Sequence, residues 1–268
     1  MNHNGIFSLS FPEAKTIIVS GDIHGDFNQL VFKLCIQYQL TDTLLIVAGD
    51  CGFGFEKREY YEQMVRRNAK RMNQANNWIV FVRGNHDNPA YFDGVMFNFK
   101  RFIAVPDYTI LQACNHAILC VGGAISIDRI YRINEWNKRK YRLHLNDSQE
   151  NNISRNLYWK NEAPIYDSDK LNTISADFLI DTIVTHTAPS YCELLSKSNL
   201  NQWAMNDPLL IEDIQFERKT MDMLLQHLKT DNLPISHWYY GHFHQSWHSA
   251  IDGILYQMLD IMEFSRIY

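Results

Sequence analysis

Three short apolar runs, Thr16 to Val19, Leu44 to Ala48 and Ile79 to Val82, each reach a glycine within two residues and then a side chain able to bind a cation or move a proton. The continuations are Gly21-Asp22-Ile23-His24-Gly25-Asp26, Gly49-Asp50 and, after Arg83, Gly84-Asn85-His86-Asp87. Runs of this length and composition read as buried strands, and the glycine lets the chain turn so that the next side chains face outward. Between the runs apolar residues recur at helical spacing: Phe27, Leu30, Val31, Leu34, Cys35 and Tyr38 after Asp26 as N-cap, then Tyr61, Met64, Val65, Asn68 and Met72. This β-turn-α-β-turn-α-β-turn order predicts a parallel sheet with its three polar turns at one edge. Open α/β sheets bind ligands at that edge. Each turn alone has a plain explanation, because Gly, Asn and Asp are turn residues.

The next segment changes character. Lys100 to Val105, Tyr108 to Gln112 and His116 to Val121 are separated by Pro106-Asp107 and Cys114-Asn115, which predicts antiparallel hairpins rather than further βα units. From Ser126 to about Ser175 the chain is polar and aperiodic, which predicts a lid or partly helical insertion over about 126–175 against the plain alternative of a solvated excursion. Asp181 to Thr185 restores a strand that ends at His186. Pro208 to about Lys229 reads as a helix with Leu210, Ile214, Met221, Leu224, Leu225 and Leu228 on one side. Trp238 to Tyr240 leads into Gly241-His242-Phe243-His244, and runs near Trp247 and Ile254 to Leu259 read as further strands. With no internal repeat and no clear linker, 1–268 reads as one domain.

Five strand ends therefore present Asp22 with His24, Asp50, Asn85 with His86, His186, and His242 with His244. A His-x-His pair on a strand is more often a solvated face than a pair of ligands. Two carboxylates, one carboxamide and several imidazoles at the ends of apolar strands nevertheless make an N/O donor set that suits two divalent transition ions, Mn, Fe, Zn or Ni according to supply. Two such ions about 4 Å apart can share a hydroxide and neutralise the charge that builds up during in-line attack on phosphorus.

In its ordered motifs the chain resembles the calcineurin-like metallophosphoesterases: Gly21-Asp22-Ile23-His24, Gly49-Asp50, Gly84-Asn85-His86-Asp87, His186 and Gly241-His242-Phe243-His244. The resemblance implies an α/β fold, α+β in part, built as a four-layer sandwich of two mixed β-sheets flanked by helices. It implies that Asp22, His24 and His244 hold one ion, that Asn85, His186 and His242 hold the other, and that Asp50 bridges them. His86 is expected to be the general acid for the leaving oxygen, and Asp87 to support the ligands without binding an ion. Arg83 stands where serine/threonine phosphatases and diadenosine tetraphosphatases bind phosphate, and a guanidinium can grip two phosphate oxygens. Those enzymes carry an acidic residue three positions after the bridging Asp, followed by Arg; here Phe53 and Gly54 stand there. Gly122-Gly123-Ala124-Ile125-Ser126 is either an ordinary turn or a device that leans Arg129 and Arg132 over the ions as substrate-binding groups.

The chemistry expected is hydrolysis of phosphate monoesters, with a phosphodiesterase or nucleotide pyrophosphohydrolase as the alternative and a catalytically silent scaffold as a third reading. The substrate would be a phosphorylated small molecule, a nucleotide or a phosphoprotein. A net charge of −5 argues against an extended surface for duplex nucleic acid. Five scattered cysteines without a CxxC pair, no apolar leader and no membrane-length apolar segment lead to the expectation of a cytoplasmic protein.

Overall fold

A computed structural model of the chain describes residues 2–142 and 158–268. A short ribbon, β1 (Asn2–His3) and β2 (Ile6–Ser10), precedes the first of the three apolar runs, β3 (Thr16–Ser20). Helix α1 (Phe27–Phe32) comes next, capped by the Asp26 side chain, which accepts from the Gln29 amide at 3.2 Å, and runs on into a π-helical turn over Lys33–Gln37. Then come β4 (Thr43–Ala48), α2 (Arg58–Ala75) and β5 (Trp78–Val82), so the first three runs are strands separated by helices. β6 (Asn98–Phe99), β7 (Phe102–Ala104), β8 (Thr109–Ala113), β9 (His116–Val121), α3 (Arg129–Arg142), α4 (Ser168–Asp177), β10 (Thr182–Thr185), α5 (Leu200–Ala204), α6 (Leu210–Thr230), β11 (His237–Tyr240), β12 (Trp247–Ile251), β13 (Ile254–Met258) and β14 (Phe264–Ile267) complete the described chain.

The strands form two mixed sheets. One has six strands in the order β14-β3-β4-β5-β7-β6, and the other eight in the order β1-β2-β8-β9-β10-β11-β13-β12. β3, β4 and β5 are mutually parallel, in a register that pairs Ser20 with Val47 and Ala48 with Val82, so their carboxyl ends lie side by side. In the eight-stranded sheet β9, β10 and β11 are likewise parallel neighbours. Alternation along the strands sorts the core into layers. Val19, Ile46, Val80, Cys120, Val184 and Tyr239 fill the space between the sheets. Ile18, Leu45, Val47 and Phe81 point the other way, onto Leu30, Val31, Tyr61, Met64 and Met72 of α1 and α2. On the far side Ile183, Trp238 and Tyr256 meet Leu171, Leu224 and Leu228 of α4 and α6. The result is helices, sheet, sheet, helices. Each fully buried aliphatic or aromatic side chain contributes about 1.5–3 kcal/mol of transfer free energy.

One expectation changes. The run Lys100 to Val105 does not form a hairpin with its successor: β7 pairs in parallel with β5, and the chain crosses between sheets at Pro106-Asp107. The Val105 amide donates to Phe81 in one sheet and the Tyr108 amide to Cys120 in the other, so this proline marks a sheet change, and only β8 and β9 form the hairpin. The segment expected to be a lid or partly helical insertion contains α3, whose described side chains are exposed or only partly buried, and most of α4. Residues 143–157 of the expected lid lie outside the described residues. No described helix is long and apolar enough to cross a membrane.

Candidate metal centre

The parallel strand ends converge as the spacing requires. Asp22 and His24 follow β3, Asp50 follows β4, and Asn85 and His86 follow β5, all on the six-stranded sheet. His186 follows β10, and His242 and His244 follow β11, on the other sheet. Four of these residues hold left-handed backbone that side chains usually avoid: His24 at φ 46°, Asp50 at 43°, His242 at 70° and His244 at 53°. That conformation costs about 1–2 kcal/mol per residue and is offset by the surrounding packing. Two glycines permit the approach. A Cβ at Gly84 would lie 2.0 Å from the Asp50 nitrogen, and one at Gly49, itself at φ +96°, would lie 2.1 Å from His186 Nδ1.

Two donor groups result, each with its ligand atoms within 4.8 Å of one another: Asp22, His24, Asp50 and His244, and Asp50, His186 and His242. Asp50 belongs to both. In the first group His24 Nε2 and His244 Nε2 face each other at 3.0 Å, and Asp22 Oδ2 lies 3.0 Å from His244 Nε2. That carboxylate oxygen is buried and has no hydrogen-bond partner. In the second group His186 Nε2 lies 3.0 Å from Asn85 Oδ1, 3.2 Å from His242 Nδ1 and 3.3 Å from Asp50 Oδ1. His186 Nδ1–H donates to the Ala48 carbonyl at 2.8 Å, so the other ring nitrogen is the one turned to the cluster. Lone pairs crowded in this way repel one another unless a cation or proton lies among them. A buried orphan carboxylate oxygen and an all-N/O donor set fit a pair of divalent ions.

The electrostatics of the donor set follow the same logic. Burial opposes charge on His186, but Asp50 and Asp22 beside it raise its pKa to about 9. Asp50 is fully buried, which favours its neutral form, yet His86 and His186 hold its carboxyl well below the usual range. Burial and the cation of Lys197 push the His242 imidazole well down. The two groups also differ in access: the side chains of His24 and His244 are 37% and 43% exposed, whereas His186 is fully buried.

Around the clusters, the His86 amide donates to Asp50 Oδ1 at 2.8 Å, and its Nε2 lies 3.9 Å from Asp50 Oδ2 and 3.4 Å from Arg132 Nη2. Burial lowers His86 to about 4, and its Nδ1 has no partner. Asp87 binds no cluster atom. Its carboxylate accepts from the amides of Cys51, Gly52, Phe53 and Gly84, pinning the β4 turn to the β5 turn, while burial raises it to about 6. Phe53 is fully buried among Phe27, Phe81, Tyr91 and Phe97, so the position is a core position here.

The structure brings Asp22, His24, Asp50, Asn85, His186, His242 and His244 together with His86, and sets Arg132 beside them. It does not bring Arg83 or Arg129. Arg83 is 4% exposed, and its guanidinium donates to the carbonyls of Asn161, Glu162 and Ala163 and to Asp107 Oδ2. Arg129 is held in ion pairs with Asp207 and Asp213 at 2.5 and 2.6 Å. A guanidinium saturated by buried acceptors has no face left for a phosphate. Sequence reasoning missed Lys197, whose Nζ lies 3.3 Å from His242 Nδ1 on a loop without any strand-end signal. Burial lowers its pKa, opposed by Asp50 and Asp22.

The sequence profile of the calcineurin-like phosphoesterases matches residues 15–246. Among solved structures, the protein TT1561 of Thermus thermophilus superposes with a TM-score of 0.52 at 13% identity, over 92% of this chain and 90% of that one. A likeness at that identity is one of fold. A dimetal phosphatase from Danio rerio gives 0.47 at 10% identity over 96% and 93%, and phosphopantetheinyl hydrolase from Mycobacterium tuberculosis 0.39 at 14% over 94% and 95%. No curated protein matches the sequence.

Proposed function

The chain belongs to the calcineurin-like phosphoesterase family, and from that premise we propose that it is a dinuclear-metal hydrolase of phosphate esters, acting on monoesters in preference to diesters. The observation that carries this reading is the membership of Asp50 in both donor groups. One carboxylate shared by two clusters sets two cations side by side. In this reading Asp22, His24 and His244 would hold one ion, Asn85, His186 and His242 the other, and Asp50 would serve both. Two bound divalent ions, Mn, Fe, Zn or Ni, supply an activated water and neutralise charge on the phosphate.

The remaining steps fall to the chain's own groups. His86 stands beside Asp50 at the rim, where a leaving oxygen would need a proton. Burial pushes this imidazole down to about 4 against the pull of Asp50, so a negative charge beside it favours the proton that a general acid needs. A phosphate held between His86 and Arg132 provides that charge, raising the His86 pKa while Arg132 balances the phosphate. Arg132, with Asp128 at 2.8 Å behind it, and Lys197 place two cationic side chains next to the clusters. That favours the dianionic end of a monoester over the single charge of a diester.

The test is turnover by the Mn-loaded protein of p-nitrophenyl phosphate, bis-p-nitrophenyl phosphate, diadenosine tetraphosphate and a phosphopeptide. The expected result is fastest turnover of the monoester, abolished by Asp50→Asn, which also weakens the retention of both ions. Fastest turnover of the bis-ester or the dinucleotide would replace the monoester reading with the diesterase or pyrophosphohydrolase one. Two firmly bound ions with no turnover of any of the four would make the chain a scaffold.

A further inference from the structure

Asn85 offers the second cluster a carboxamide, a ligand with two chemically opposite ends. Its Oδ1 can coordinate a cation, whereas its Nδ2 can only donate hydrogen bonds. Rotation by half a turn about the last side-chain bond would present the wrong end. Asn85 Nδ2 donates to Ser126 Oγ at 2.8 Å, and Ser126 Oγ in turn donates to Glu162 Oε2 at 2.6 Å. The Ser126 amide donates to the other carboxylate oxygen, Glu162 Oε1, at 2.9 Å. Ser126 and Glu162 are 2% and 1% exposed, so water does not substitute for any of these partners. We infer that Ser126 and Glu162 are positioning residues that fix the polarity of the Asn85 carboxamide and so build the second ion site, a role that rests on the two-ion reading above.

The proton count explains why the residue types matter. A serine hydroxyl has one hydrogen; with Glu162 ionised, the state that its two hydrogen bonds from Ser126 favour against the burial that raises its pKa to about 8, that hydrogen goes to Glu162, the oxygen is left to accept, and only the Nδ2 end of Asn85 can face it. Oδ1 is thereby turned to His186 Nε2, 3.0 Å away. Glu162 is itself anchored. Its carbonyl accepts from Arg83 Nη1 at 2.8 Å and from the Ala124 amide at 3.1 Å. A Cβ at Gly123 would lie 2.5 Å from that carbonyl oxygen, so the Gly-Gly pair after β9 admits the segment that carries Glu162. A second buried carboxylate, Glu217 of α6, accepts from the Ile125 amide at 2.5 Å and holds the same loop from the other side. The loop that bears Ser126 is thus clamped from two directions, as a group that orients a ligand must be.

A glutamine at 162 would invert the relay. With its Oε1 taken by the Ser126 amide, its Nε2 would donate to Ser126 Oγ, and the hydroxyl hydrogen would turn toward Asn85 and select the oxygen end there. The experiment is calorimetric titration of Mn2+ into chelator-stripped wild type, Ser126→Ala, Ser126→Thr and Glu162→Gln, with melting temperatures and the exchange-coupled EPR signal of the ion pair. Wild type is expected to take two ions. Ser126→Ala and Glu162→Gln should keep the first with unchanged affinity, weaken the second by about 10- to 100-fold and lose the coupled signal. Ser126→Thr should restore both. Should Glu162→Gln fail to fold, Ser126→Ala, which removes one oxygen, decides alone. Unchanged second-site affinity in these variants would overturn the relay while leaving the two-ion reading intact, as would equal weakening of both ions with a lowered melting temperature. A wild type that takes up no second ion would overturn both.

Discussion

At the scale of residues, the donors were legible because each follows the end of an apolar strand within a few residues, so a pattern of period and turn locates them without any knowledge of tertiary structure. Arg83 has the same local signal and a different fate. Its neighbours in space, 161–163, lie about 80 positions away in sequence, and nothing local announces them. Ser126, Glu162 and Lys197 were illegible for the same reason. Arg83→Ala is predicted to lower stability by about 3 kcal/mol or more, because it removes a buried cationic donor from Asp107 Oδ2 and from the carbonyls of Asn161, Glu162 and Ala163. Arg83→Lys should recover only part, one ammonium being unable to reach them all; chemical denaturation of the ion-free protein reads this directly. His186 sets the pH response. Its pKa is raised from 6.5 to about 9 in the ion-free fold. Its contribution to stability is therefore complete below the unfolded value and disappears as pH rises through the folded one. An ion at the second site must displace that proton, so its affinity should fall about tenfold per unit as pH drops below that folded value. Calorimetry in buffers of different ionisation enthalpy should show one proton released by this group with the second ion.

At the scale of elements, β3, β4, β5, β10 and β11 and the helices α2 and α6 follow from periodicity, because each buries a whole face. The change of sheet after β7 does not, since it depends on which strand edge is free. Phe53 shows how an element overrides a motif. The resemblance to phosphatases would put a carboxylate there, but the residue is fully buried against α1, α2 and β5 aromatics. Phe53→Asp is predicted to unfold the domain rather than tune His86, and Phe53→Ala to cost about 3–5 kcal/mol. Far-ultraviolet dichroism and urea midpoints distinguish a folded, tuned enzyme from a lost core.

At the scale of the whole molecule, each donor group takes residues from both sheets, so bound ions join the sheets at their shared edge. Ions that bind the native state alone should raise the melting temperature with concentration, by about 2.7 kcal/mol of stability for one site at a hundredfold excess over its Kd. The exposed imidazoles of His24 and His244 predict that one ion leaves a chelator-treated sample well before the other; stopped-flow with a chromogenic chelator should show two phases, the slow one belonging to the buried His186 cluster. There is also an order in time. His24 and His244 face each other across a separation of 220 positions in the sequence, and His242 completes the second cluster from the same loop. A nascent chain that has not yet reached His242 and His244 therefore holds neither complete donor group, however much of the six-stranded sheet has already formed. Ion capture would then be a late event of biosynthesis, after the polypeptide has passed that loop, and a fragment that ends before it would lack a donor for each ion.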